Sequence, residues 1–224
     1  MYKCLSYPIN KTAPGWPGNP TLEIIPLSLI TQGQVADTYN LILFNHFGSH
    51  MDGPKHFTKT GLRLSELPLD AFIYQKPLLI DIPKSFGELI TVEDLLPYES
   101  DIKESDLLMI RSGFSVYRVN QPERYAGEGP ALSSEAAKYM IENFNNLKAV
   151  AVDWISLASY AHAQDGQLAH QYLLGEFHDH YICIIEDVNF EGLIPHKIKR
   201  VFSIPLFIDE VDSAPITMFA ELDA

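Results

Sequence analysis

The chain has 224 residues, 46% of them hydrophobic and 20% charged, which fits one globular domain with a sizeable core. Its net charge of −13 argues against nucleic acid or an anionic membrane as a partner. Cys4 and Cys183 form no disulfide framework and no Cys-x-x-Cys site, as suits a reducing cytoplasm, and no apolar run is long enough for a signal peptide or a membrane span.

Residues 8–20 are rich in Pro, Gly and Asn and read as a loop, so the expected organisation is a single domain over 1–224 with an N-terminal arm over about 1–21. Leu22–Ile30 and Tyr39–Phe44 read as strands, the second leading into the stretch His46-Phe47-Gly48-Ser49-His50-Met51-Asp52-Gly53-Pro54-Lys55-His56-Phe57. Three histidines and an aspartate within eleven residues are ligand types for a divalent ion such as Zn²⁺ or Mn²⁺, although polar loop residues give the same composition. A helix would set Asp52 apart from His46 and His50, and Gly48, Gly53 and Pro54 oppose one. A fully extended segment would hold His46 and His56 roughly 30 Å apart, so ligands of one centre need a turn here, which the glycines and proline permit.

Leu78–Ile82 and Asp106–Arg111 read as buried strands, and Thr91 with Asp94 as the start of a short helix. The clearest helix runs from Ser134 to about Asn145, with Ser133 as N-cap and Ala137, Met140, Ile141 and Phe144 on one face. The strand Ala149–Val152 ends in Asp153, a position that often only bonds loop amides. His170 sits at the margin of an apolar stripe, where a histidine is commonly a hydrogen-bonded core residue. Tyr181–Ile185 reads as a strand delivering Glu186, after a polar turn that carries Glu176, His178, Asp179 and His180. Val201–Ile208 reads as a pair of strands around Pro205. The pattern is that of a mixed α/β, strand-rich domain.

The segment 46–57 resembles the signature His-x-Gly-Thr-His-x-Asp-x-Pro-x-His of the cyclase family of metal-dependent hydrolases, which includes kynurenine formamidase and isatin hydrolase. Ser49 stands where threonine is usual. A family-like Trp-Pro-Gly-Asn-Pro stretch lies at 16–20, with Asn19 in place of the usual aspartate, and an Asp-x-x-Ser lies at 153–156. The resemblance implies the family's swivelling β/β/α fold, a homodimer or homotetramer, and one or two Zn or Mn ions held by His46, His50, Asp52, His170 and Glu186. It implies His56 as the acid/base residue beside metal-activated water. It further implies hydrolysis of an amide C–N bond in a small aryl substrate, an N-formylkynurenine-like formamide. Lactone or ester hydrolysis, ring closure and a non-catalytic metal-binding role are the alternatives. Trp16, Phe47, Ser49 and Phe57 are the expected substrate contacts, with Trp154 nearby, although such aromatic rings equally suit a core.

Overall fold

The computed structural model describes residues 1–223. Its strands are β1 (Tyr2–Cys4), β2 (Glu23–Ser28), β3 (Thr38–Ile42), β4 (His50–Asp52), β5 (Ile73–Tyr74), β6 (Pro77–Asp81), β7 (Leu89–Ile90), β8 (Leu107–Arg111), β9 (Ala131–Leu132), β10 (Ala149–Val152), β11 (Cys183–Glu186), β12 (Ile198–Pro205) and β13 (Ser213–Leu222). Four short helices, α1 (Val92–Leu95), α2 (Glu99–Glu104), α3 (Tyr117–Asn120) and α4 (Pro122–Gly127), precede the two longest, α5 (Ser134–Asn143) and α6 (Ala163–Leu173).

Most strands join one mixed sheet in the order β5-β12-β13-β4-β11-β10-β8-β6, with β1 also on β13. The half from β11 to β6 is parallel and the half from β4 to β5 antiparallel. The parallel strands are apolar without interruption because both of their faces are buried. In β8, Leu108 and Ile110 face a core shared with Met140, Ile141, Ala169 and Leu173 of α5 and α6. Leu107 and Met109 face a second core, which includes Met51, Val201 and Met218 of the antiparallel half. The sheet thus curls round the second core while the two long helices cover its other side.

Local signals hold where they are strongest. Ser133 Oγ accepts a hydrogen bond from Ala136 N at 3.1 Å and starts α5. Thr91 N donates to Asp94 Oδ2 at 2.8 Å and starts α1. Two expectations need correction, the N-terminal arm and the strand pair around Pro205. The N-terminal arm is only partly an arm, because Tyr2–Cys4 pairs antiparallel with β13. Strands β2 and β3, as expected from the sequence, form a hairpin separate from the main sheet and leave Leu27, Val35 and Leu41 exposed. The strand pair around Pro205 is one strand, β12, ending at that proline, which has no amide to extend the ladder. Residues 206–212 are instead a loop that returns to β4 through a bond from Gly53 N to Asp212 O.

Candidate metal centre

Strand β4 lies between β11 and β13, with His50 directly opposite Glu186 and Asp52 opposite Ser213. Cross-strand partners share a face, so His50, Asp52 and Glu186 project together while Met51 and Ile185 enter the second core. Before β4, Gly48 turns the chain at φ +71, a conformation open chiefly to glycine. After it, Gly53 lies so near Asp212 that an added Cβ would fall 2.8 Å from that carbonyl oxygen. Pro54 then opens the 3-10 turn Pro54–His56. The two turns fold the motif back on itself and leave the rings of His46 and His56 4.3 Å apart, centroid to centroid. Helix α6 supplies His170. Its Gly166 packs against Ala158 with no room for a Cβ, which brings the helix down onto the 155–158 loop.

The ligand atoms form two overlapping sets, His50–Asp52–Glu186 and His46–Asp52–His56, each within 4.8 Å and sharing Asp52. His50 Nε2 is 3.1 Å from Glu186 Oε2 and 3.6 Å from Asp52 Oδ1. His170 Nε2 is 3.5 Å from Glu186 Oε1 and 3.8 Å from Asp52 Oδ2. His46 Nδ1 is 3.0 Å from Asp52 Oδ1. Outer hydrogen bonds hold the rings in place. His50 Nδ1 donates to Gly48 O at 2.8 Å, and His170 Nδ1 donates to Gly166 O at 2.7 Å. A neutral imidazole with Nδ1 protonated presents a lone pair at Nε2, and here it would face carboxylate oxygens.

Such an arrangement repels unless a cation lies within it. His50 Nε2 and Asp52 Oδ1 are buried and, despite the short separations, make no aligned hydrogen bond. Buried polar atoms are normally satisfied, and a divalent ion would satisfy both. Without an ion, protons take that role. Burial opposes charge on His50, but Glu186 and Asp52 outweigh it and lift the imidazole to about 9. His170 is raised by the same balance. Burial opposes ionisation of Glu186 as well, but His170 and His50 hold its carboxyl well below the usual range. Asp52 is lowered too, against burial and the repulsion of Glu186, by its histidine neighbours. The nitrogen and oxygen donor set therefore fits a divalent metal.

Surrounding residues fix the carboxylates. Ser156 Oγ and Leu157 N donate to Glu186 Oε1 at 3.0 and 2.6 Å. Asp153 accepts from Ser112 and from Gly113 N and so organises neighbouring loops. Asp187, next to Glu186 and held at φ +55, receives two 2.7 Å bonds from Arg118 and one from Tyr125.

Trp16, Phe57 and every expected metal ligand line a cavity of about 590 Å³, as does His56. Two expected substrate contacts do not. Phe47 is fully buried beneath Gly15, in a small core with Ala13 and Leu22, within the bend at Gly48 that leads into β4. Ser49 is buried on the opposite side from His50, where its hydroxyl donates to Asp187 O and accepts from Tyr7 N. Trp154 is likewise a core residue. The rival ligands Glu176, His178, Asp179 and His180 lie around a different, polar cavity.

Sequence reasoning missed Asp212. One of its oxygens bonds His56 Nδ1, and the other accepts from Asn45 Nδ2 at 3.2 Å. His56 holds the Asp212 carboxyl down at about 2, against burial. Nothing local in the sequence marks Asp212, since 156 residues separate the pair. Phe44, Asn45 and Gln167 of the cavity wall were also missed.

The same fold is found in a potential metal-dependent hydrolase with cyclase activity, at a TM-score of 0.74 and 20% identity over 98% of this chain and 96% of that one, and in a predicted metal-dependent hydrolase from Bacillus stearothermophilus, at a TM-score of 0.76 and 20% identity over 98% of this chain and 97% of that one. The family model for putative cyclases matches residues 4–159, and the chain belongs to the cyclase family. An uncharacterised protein of Haemophilus influenzae is 38% identical over 117 residues, 52% of this chain and 82% of that one. The kynurenine formamidase of Bacillus cytotoxicus is 24% identical over 212 residues, covering 95% of this chain and 93% of the relative. Isatin hydrolase A from Ralstonia solanacearum superposes with a TM-score of 0.81 at 15% identity, over 100% of this chain and 92% of that one.

Proposed function

We propose that the protein hydrolyses the C–N bond of a small aryl amide, a formamide or lactam, at a Zn²⁺ or Mn²⁺ centre. The observation that carries this reading is the pair of ligand sets sharing Asp52, set beside a histidine–aspartate pair in an aromatic-walled cavity. His50, Asp52, Glu186 and His170 would hold one ion, and His46 with Asp52 would hold a second where two bind. When bound, the metal polarises the carbonyl and activates water. His56 donates Nδ1–H to Asp212, which leaves Nε2 as the nitrogen free to exchange a proton. That nitrogen takes a proton from water and returns one to the leaving nitrogen. Water's oxygen ends on the carbonyl carbon, the C–N bond breaks, and an amine and a carboxylic acid leave.

Phe57 lies 5.0 Å from His170 and Phe44 lies 5.6 Å from His46, so aryl groups meet flat apolar walls next to the cluster. A second reading makes His56 a ligand of the second ion, favoured by its place with His46 and Asp52. Assembly into a dimer or tetramer is supported by the exposed apolar residues of β2–β3 and is tested by sedimentation. The function is tested by loading metal-stripped protein with Zn²⁺ or Mn²⁺ and screening aryl formamides, lactams and esters. Turnover of amides that a chelator abolishes reversibly is the expected result. Full activity in metal-free protein, or turnover of esters alone, contradicts the proposal.

A further inference from the structure

Among the described residues, the cavity wall carries no lysine or arginine. Trp16, Phe44, Phe57 and Ile155 are apolar, Asn19, Asn45 and Gln167 are neutral amides, and the only charged groups belong to the ligand cluster and Asp212. The chain itself is organised this way. It has 16 lysines and arginines, yet none falls in residues 12–54, 149–196 or 201–224, which supply every wall residue except His56 and Phe57. The cations nearest in sequence are turned to other partners, with the Lys55 ammonium on Lys59 O and Lys11 Nζ 3.4 Å from Ile24 O. No carboxylate is free either. Asp212 is engaged by His56 and Asn45, and position 19 carries an amide.

We infer that the aryl portion of the substrate is uncharged, so that the site selects neutral aryl amides over those carrying a carboxylate or an amino-acid zwitterion. This rests on the proposed hydrolase reading and narrows its substrate class. A carboxylate drawn against Trp16, Phe44 and Phe57 would lose water and gain no partner there. Asn19 and Gln167 can still hydrogen-bond a neutral carbonyl or hydroxyl group, which gives selectivity without charge.

The test compares formanilide with 4-formamidobenzoate, whose carboxylate lies across the ring from the reacting bond. Both are hydrolysed by the same step, releasing formate and the aniline. The expected kcat/KM is at least about tenfold higher for formanilide, a difference of about 1.4 kcal/mol. Calorimetric binding of the less reactive pair acetanilide and 4-acetamidobenzoate should show the same preference. Gln167→Arg should shrink the ratio by selectively raising kcat/KM for the carboxylate. Equal or better turnover and binding of the carboxylates overturns the inference. If neither formamide is hydrolysed, the amidase reading fails, and the binding pair alone decides the charge preference.

Discussion

The two ligand sets share one carboxylate but are built differently. The inner set, His50, Asp52 and Glu186 with His170, is almost wholly buried and sits on two strands and a helix. Each of its histidines has the second ring nitrogen tied to a carbonyl, and Glu186 is held by a hydroxyl and an amide. The outer set, His46 and His56 with Asp212 behind them, sits on turns, with side chains 17–27% exposed. Rigid burial favours tight, permanent binding, whereas a partly open edge admits water and substrate. On the proposed function, the inner set would hold an ion and the outer set would act beside it.

Glu186→Gln should break the inner set outright. Metal content by plasma mass spectrometry should collapse and activity should fall to background. If Glu176→Gln does this and Glu186→Gln does not, the ligand is in the polar turn instead. His56→Ala should cost about 10²–10⁴-fold in kcat with the inner ion retained and little change in KM. Stoichiometric loss of an ion would make His56 a ligand. Asp212→Asn should cost less, about 10–100-fold, because it disturbs only the orientation of His56, and metal content should not change. A fall in metal content there would put Asp212 within the coordination sphere.

Arg118→Met should leave the Asp187 carboxylate buried without its cation and destabilise the fold by about 3–5 kcal/mol, read as a lower midpoint in denaturant melts. An unchanged midpoint would remove this pair from the support of Glu186. The smallest effect is on pH. In metal-free protein His50, raised to about 9, and His170, raised as well, bind protons that an ion must displace. Protonation is favoured below that value, so metal affinity should strengthen as pH rises towards about 9 and then level off. An affinity flat from pH 6 to 9 would contradict this.

The inner set was legible because its residues carry local marks. His50 and Asp52 fall in a dense motif with its own turn residues, and Glu186 closes an apolar strand. His170 was ambiguous from spacing alone and needed the family resemblance, since Gly166 brings α6 onto the loop through a contact that no periodicity encodes. The strand-end Asp153 bonds loop amides, as its position suggests, and Ser156 bonds Glu186. Asp212 was invisible because only the return of the 206–212 loop past Gly53 joins it to His56. Phe47 and Ser49 were misplaced for a related reason. Their neighbours line the cavity, but in the bend about Gly48 Phe47 packs with Ala13 and Leu22 and Ser49 bonds Asp187 O.

Calorimetric titration of metal-stripped protein with Mn²⁺ at pH 8 tests the division most directly. The expected isotherm has two classes of site, a tight one that Glu186→Gln abolishes and a weaker one that His46→Ala removes while the tight class remains. A single class lost equally in both variants, or tight binding that survives Glu186→Gln, would contradict it.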